Sequence, residues 1–394
     1  AKNSSNDYWK MSIAKNPNTP PEVLLAFASD EINYARSSVA SNPNTPLEAL
    51  LILANDGNKD VREPVAKNPN TPPEVLLVLA KDEDDEVKES VAENPNTPLE
   101  ALLVLAEDWN RYVRMSVISN PNTPPEILLT LSKDESKLVR EDVASSPNTP
   151  LEALLILSND RSEDVRTRVA KNPNTPLEVL LALSKDISRR VKAGGVVKNP
   201  NTPPEALLVL ANDEDEHVRR QVAFNPNTTP EALLVLASDE NYGVRIPVAS
   251  NPNTPPEALL ILSNDKYDDT RGDVASNPNT PPEALLNLAN DESAHVKASV
   301  ARNPNTPLEV LHVLAGDLND DVRSTVVRNP NTPLEILHVL ADDKKNSIKS
   351  AAQDFIRKRK FPNYKQITET KKHKFSKKRL RQIIMEELLK TLNK

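Results

Sequence analysis

The sequence predicts an all-α chain, an α-solenoid of about thirteen tandem units of 26 residues, and three observations carry that prediction. The first is a repeated block. Asn-Pro-Asn-Thr-Pro begins at Asn16, Asn42, Asn68, Asn94 and Asn120, and recurs as Ser-Pro-Asn-Thr-Pro at Ser146. It continues at Asn172, Asn199, Asn225, Asn251, Asn277, Asn303 and Asn329, with Thr229 in place of the last Pro of the block at Asn225. Every interval is 26 residues except Asn172 to Asn199, which is 27 through an extra residue around Gly194 and Gly195. The second is composition: nearly all of the 35 Pro fall in this punctuation, beside only 6 Gly. The third is size against aromatic content. A chain of 394 residues exceeds one ordinary core, and 3% aromatics is too few to fill several.

Residues 68–93 show what one unit encodes. Asn68-Pro69-Asn70 reads as a tight turn, because Pro pre-sets its own backbone angle. Thr71-Pro72-Pro73-Glu74 reads as a helix start, with Thr as N-cap, Pro at the first helical position and Glu closing a capping box. The helix Pro72–Lys81 places Val75, Leu76, Leu79 and Ala80 on one apolar stripe. Asp82 ends it, and a variable stretch Glu83–Glu86 follows. Val87-Lys88-Glu89-Ser90-Val91-Ala92 then reads as a second, shorter helix. Pro64, Pro247 and Gly272 fall inside this second helix in other units, at about 3 kcal/mol per interior Pro and about 1 per Gly, so a 3₁₀ or single-turn helix is expected there.

The unit Asn-Pro-Asn-Thr-Pro-Pro/Leu-Glu-x-Leu-Leu-x-Leu-Ala-x-Asp…Val-Arg-x-x-Val-Ala resembles the leucine-rich-repeat variant family over roughly Asp7 to Ala341. The resemblance implies alternating α- and 3₁₀-helices stacked in a right-handed superhelix. The Val-Arg-x-x-Val-Ala half is also similar to HEAT repeats, though 26 residues are too few for two full HEAT helices. An iron–sulfur module known in one family member does not carry over, since the chain has no Cys. One unit cannot bury its stripe alone, so stacked neighbours are expected to share a continuous core with nearest-neighbour energetics. At ~8–10 Å per helix layer, thirteen units would give a rod on the order of 100–130 Å. Tyr8–Asn16 begins in mid-repeat and is expected to close one end, Ser347–Phe361 the other.

Charge is divided along the chain. Residues 344–394 hold 17 Lys or Arg against 4 Asp or Glu, while residues 1–343 hold 32 against 53. An acidic repeat body, 1–343, is therefore followed by a basic capping helix over 344–361, a linker over 362–375 and a basic amphipathic helix over 376–394. In that last segment Leu380, Ile383, Ile384, Leu388, Leu389 and Leu392 recur at helical spacing beside Lys377, Lys378, Arg379, Arg381 and Lys390. Docking on protein, folding back on the acidic repeats, contact with lipid and nucleic-acid binding are all open to it, docking on protein first. No apolar run reaches bilayer-spanning length and the first residues are polar, so the expected compartment is the cytoplasm.

Two polar positions recur in every unit. Asp stands at the end of the first helix (Asp30, Asp56, Asp82, Asp108, Asp134 and so on to Asp343), and six residues later comes Arg or Lys (Arg36, Arg62, Lys88, Arg114, Arg140 and so on to Lys349). These cations either line a groove for an anionic polymer or form a ladder with the aspartates, and the one-to-one pairing favours the ladder. The Asn at the head of each block reads as a second, turn-stabilising ladder. No motif carries catalysis: there is no phosphate-cradling Gly-rich loop, no His-Glu-x-x-His and no nucleophile elbow. His312 and His338 share a position in adjacent units but lack a third metal ligand. No enzyme activity, cofactor or metal is expected.

A partner would use what stacking leaves free, the four residues before each Val-Arg and the two after it. Aromatics collect there at Tyr34, Trp109, Tyr112, Tyr242 and Tyr267, with Phe224 just before Asn225. Extra cations gather in the middle of the chain at Arg111, Arg161, Arg168, Arg189, Arg190 and Arg220. Exposed aromatics beside arginine make interface anchors, so residues 107–245 are the expected recognition surface. The leading expectation is a non-enzymatic scaffold for a protein or extended peptide. The alternative is a nucleic-acid-binding solenoid of the HEAT-like DNA glycosylase type, using the central arginines or the basic tail, which the acidic body disfavours.

Overall fold

A computed structural model of the chain describes residues 8–360. The sequence-predicted linker and terminal basic helix, 362–394, lie outside the described residues. Among those described there are 27 α-helices, one 3₁₀ segment and no strand. By contact density the chain divides into two compact units, Ala1–Leu210 and Ala211–Lys394, with the division inside the helix Pro204–Ala211. Both contain the same alternation of a first helix of seven or eight residues and a second helix that is nine residues long in most repeats.

The first helix starts one residue later than the sequence suggested. In the repeat at Asn68 it runs Pro73–Leu79, and its N-cap is Pro72 at φ −71°, ψ 154°. A residue before proline is pushed out of the helical region, so Pro73 holds Pro72 extended. Thr71 is therefore not the cap. Its hydroxyl is buried and donates to the Val65 carbonyl at 2.5 Å, tying the turn to the end of the preceding second helix. Where Thr229 replaces the proline a threonine does cap the first helix, accepting from Ala232 N–H at 3.3 Å. The Glu at the second position, Glu74 here, faces the positive end of the helix dipole.

The second helices are α-helical, over nine residues in most repeats, which corrects the expected 3₁₀ or single-turn form. Lys59–Lys67 and Tyr242–Ser250 remain α with Pro64 and Pro247 inside. Each proline forfeits one backbone bond, but these helices are fixed at both ends and packed along their length. Asn58 and Asn241 cap the starts through their side chains. At the far end Asn68 is extended because Pro69 follows, and its N–H returns to Pro64 and Val65 carbonyls. Stacking against neighbouring second helices buries Val61, Val65 and Ala66 completely. Tertiary packing outweighs propensity here.

True 3₁₀ geometry occurs once among the described residues, at Val196–Lys198 in the 27-residue repeat. The inserted residue splits that second helix after Gly194. A Cβ on Gly195 would lie 2.5 Å from the Val191 carbonyl oxygen and 2.6 Å from Ala170 Cβ, so only glycine passes there.

The core is a column of small and medium aliphatic side chains. In the repeat at Asn42, Ala49, Leu50 and Leu53 of the first helix meet Val61, Val65 and Ala66 of the second, all essentially inaccessible to water. Each such Leu or Val contributes roughly 1.5–3 kcal/mol on burial. Val and Ala in the second helices let adjacent units approach closely, which is why the column needs no aromatics.

The helix Asn346–Lys360 is longer than the others, at 15 residues. Ile348 and Ala352 take the buried valine positions, and Arg359 donates to the carbonyls of Pro330 and Thr332. Among the described residues no helix is long and apolar enough to cross a membrane.

Candidate functional site

The repeated polar residues are spent on holding units together. Each ladder arginine reaches in two directions. Arg140 donates from Nε to Asp160 Oδ2 at 2.5 Å and from Nη2 to Oδ1 at 3.1 Å in the next unit, while Nη1 holds the Asp134 carbonyl of its own unit at 2.8 Å. Lys88 and Lys297 make the same link to Asp108 and Asp317 with one contact each. Burial pushes the Asp160 carboxyl up, but the Arg140 hydrogen bonds, the Ser162 N–H and the neighbouring guanidinium charges hold it below the ordinary carboxylate value. The guanidinium of Arg140 is raised chiefly by its bond to Asp160. These cations are therefore not a groove for phosphate.

The asparagine ladder is buried as well. Asn94 Nδ2 donates to Ala66 O at 2.6 Å and Asn68 O at 3.0 Å, and its Oδ1 accepts from Asn96 N–H at 2.9 Å. The second Asn of each block repeats this at the surface, as Asn122 does to Pro95 O at 2.7 Å.

Of the residues expected to be free, the position two after Asp is committed to capping in seven units: Asn58, Asp84, Asn110, Ser188, Asp215, Asn241 and Asn319 cap second helices with their side chains, whereas Ile32, Ser136, Ser162, Tyr267 and Ser293 do not. The second residue after each Val-Arg is often buried, as at Ser38, Ser90, Ser116 and Ser299, which narrows the expected surface. What remains is a ridge formed by the residue right after each Asp and the outward side of the second helix.

All ten candidate residues are exposed, each right after an Asp or on a second helix of its own compact unit. In the first compact unit, Trp109, Arg111 and Tyr112 come together in an open dent completed by Asn110, Arg114, Glu135 and Ser136. Trp109 is 78% exposed. The Lys88 ammonium sits 5.8 Å from the centre of its ring, and Arg111 lies 4.8 Å over Tyr112 with Nη2 donating to the phenol oxygen at 2.9 Å. The same dent at the repeat of Gly57 is lined instead by Asn58, Lys59, Arg62, Glu83 and Asp84, so the fold provides the shape and the variable residues its chemistry.

The other arginines of this unit do not gather into one cationic patch. Arg190 pairs with Asp164, which also takes Lys137 Nζ at 2.8 Å. Arg161 sits beside Asp160, and the charge of Arg168 opposes the upward push that burial gives Asp142. Arg189 is exposed on the same second helix, Arg189–Gly194. In the second compact unit Arg220 lies 5.5 Å over Phe224, and Tyr242 packs against Tyr267 with ring centres 4.7 Å apart.

Sequence reasoning missed two ridge residues and one whole face. Ile187 and Leu318 occupy the Trp109 slot and are 93% and 91% exposed; aligning every unit on its Asp would have found them. The first helices expose a second apolar band. Leu47, Leu51 and Ile52 all face water, as do Leu99, Leu103 and Val104, on helices that read as apolar nearly all round. His312 and His338 stand on this face, in the helices Leu308–Ala315 and Leu334–Leu340. Among the described residues no cluster of three or more His, Asp or Glu would hold a metal.

Stacked helix pairs, seams closed by two polar ladders and a ridge of variable residues define a helical-repeat scaffold of the α-solenoid class. The family model described as leucine rich repeat variant matches residues 242–266, nearly one 26-residue period. No curated protein matches the chain. Among solved structures it is similar to a leucine-rich repeat variant with a novel repetitive structural motif, at 25% identity over 63% of this chain and 87% of that one, TM-score 0.39. Kap95p bound to RanGDP aligns at 13% identity over 89% of this chain and 60% of that one, TM-score 0.30. A designed armadillo repeat protein aligns at 14% identity over 72% and 97%, TM-score 0.11. At such scores none of them bears on how this chain works.

Proposed function

We propose that the chain is a non-enzymatic scaffold that holds a protein or extended peptide along its ridge, with Trp109, Arg111 and Tyr112 as one anchor cluster. The observation that carries this reading is the state of Trp109. Its carbonyl is clamped by Arg114 at 3.1 Å, so the backbone is held, while its ring stands 78% exposed beside a second aromatic and an arginine. A pre-positioned aromatic with an adjacent cation loses little freedom on binding and buries a large area. Recurrence of the dent at the repeats of Gly57 and Trp109 suits a partner that is itself extended. Arg111, Arg161, Arg168 and Arg189 add positive charge for a partner bearing carboxylates.

The test is a peptide-display selection against the full chain, followed by affinities for Trp109→Ala/Tyr112→Ala. Enriched peptides should combine aromatic or aliphatic residues with Asp or Glu, and lose tenfold or more in affinity to the double variant at unchanged Tm. Peptides indifferent to the two substitutions would remove the cluster from the reading. Nucleic-acid binding gains no continuous cationic groove from the geometry, since the ladder cations and Arg190 are already bonded to carboxylates. A salt titration with duplex and single-stranded DNA and RNA tests it directly, and steep salt dependence would reinstate it.

A further inference from the structure

The five first helices within the second compact unit, Pro230–Leu236, Pro256–Leu262, Pro282–Leu288, Leu308–Ala315 and Leu334–Leu340, share one kind of surface, which the first helices of the first unit have as well. None contains Lys or Arg, and each carries one Glu in its first turn: Glu231, Glu257, Glu283, Glu309 and Glu335. At 100° per residue that Glu lies between two apolar rows, one made by the first and fifth helical positions and the other by the sixth. Leu234, Leu286 and Leu308 are exposed in the first row, and Val235, Ile261, Val313 and Val339 in the second. No described residue covers them. A face of this kind calls for an occupant that is both apolar and cationic.

The chain supplies one. The Arg359 side chain is bonded to the carbonyls of Pro330 and Thr332, at the turn leading into Leu334–Leu340. The chain thus leaves the described residues beside the last of these first helices. Residues 361–375 would span at most ~50 Å when extended, enough to reach across four or five units at ~8–10 Å each. Residues 376–394 carry six Lys or Arg against Glu386 and Glu387, with Leu380, Ile383, Ile384, Leu388 and Leu392 at helical spacing. In helical form they would be ~28 Å long, the width of about three units.

We propose that residues 376–394 dock in cis on this first-helix face, placing their leucines and isoleucines on the exposed Val and Ile row and their cations on the glutamate row. The surface is separate from the ridge of the proposed scaffold function, so either reading stands without the other.

The experiment places a photo-crosslinking phenylalanine analogue at Val313 or Val339 in the full chain, with Asp321 on a second helix as control position. Mixed light and isotopically heavy chains report whether products form within or between copies. Crosslinks from 313 or 339 should enter residues 376–394 of the same copy, persist on tenfold dilution, and fall at least fivefold in Ile384→Asp/Leu388→Asp. Those two substitutions fall outside the repeated units of the sequence, and an unchanged Tm checks that the repeats still fold. Tail crosslinks no stronger than from position 321, or formed only between copies, would overturn the proposal.

Discussion

Arg114 and Asp134 stand twenty residues apart in the chain and face each other across the seam between two units. Nε meets Oδ2 at 2.6 Å and Nη2 meets Oδ1 at 2.8 Å, with both side chains 8% exposed. The same guanidinium holds the carbonyls of Asp108 and Trp109 at 2.7 and 3.1 Å. One side chain thus joins two units and fixes the turn that carries the exposed tryptophan.

Removing that guanidinium leaves Asp134 buried without its partner. Arg114→Ala should cost about 3–5 kcal/mol, the usual penalty for breaking a buried pair from one side. Arg114→Lys should cost far less, because Lys88 already links to Asp108 in the equivalent place. Urea unfolding of the two variants checks this, and equal losses would mean that the charge pair is not what closes the seam.

The asparagine ladder has one natural gap. Ser146 stands where Asn94, Asn120 and Asn172 each send Nδ2 to two carbonyls of the preceding unit, and it only accepts a long 3.4 Å contact from Asn148 N–H. Ser146→Asn should restore donors toward Ile118 and Asn120 carbonyls and add about 1 kcal/mol. The reverse experiment, Asn94→Ala, should cost about 3 kcal/mol, since it strands buried carbonyls. Paired thermal melts give both signs.

Thr270 occupies a position held by valine in most units, and its hydroxyl is buried without a hydrogen-bond partner. A buried unpaired hydroxyl costs about 1–3 kcal/mol. Thr270→Val should therefore raise the unfolding free energy by about 1 kcal/mol with no change of shape. A variant less stable than the parent would show that the hydroxyl is satisfied.

Acid should weaken the seams. Burial pushes Asp56, Asp265 and Asp291 up, but bonds from Arg36, Arg245 and Arg271, together with backbone N–H groups and guanidinium charge, hold each below 3.8. Asp343 is lowered first of all by its bond to Arg323. A carboxyl depressed in the folded state stabilises the fold above its unfolded pKa, and that contribution disappears as pH falls through the folded value. Asp142 and Glu89, both raised by burial, act in the opposite sense but are fewer. The urea midpoint should stay nearly level from pH 7 to 5 and drop below about pH 4. A midpoint unchanged down to pH 2 would contradict the ladder's electrostatic role.

Much of this protein is written plainly in its sequence because the repeat reports the same physics thirteen times. The period, the apolar stripe of Val75, Leu76 and Leu79, and the pairing of Asp with a cation six residues later each recur, so chance cannot produce them and the geometry follows. Tertiary structure decided what local signals left open. Thr71 would cap an isolated helix, but once units stack its hydroxyl finds the Val65 carbonyl in a water-free seam and Pro72 becomes the cap. Pro64 would break an isolated helix, yet neighbours on both sides keep Lys59–Lys67 α-helical. Leu51 and Ile52 lie on a helix whose only polar residue is Glu48, and only stacking settles that Leu50 and Leu53 go inside while they face water. Sequence determined which residues repeat; which side of each helix meets a neighbour was fixed by the stack, because burial belongs to the assembled units and not to any one of them.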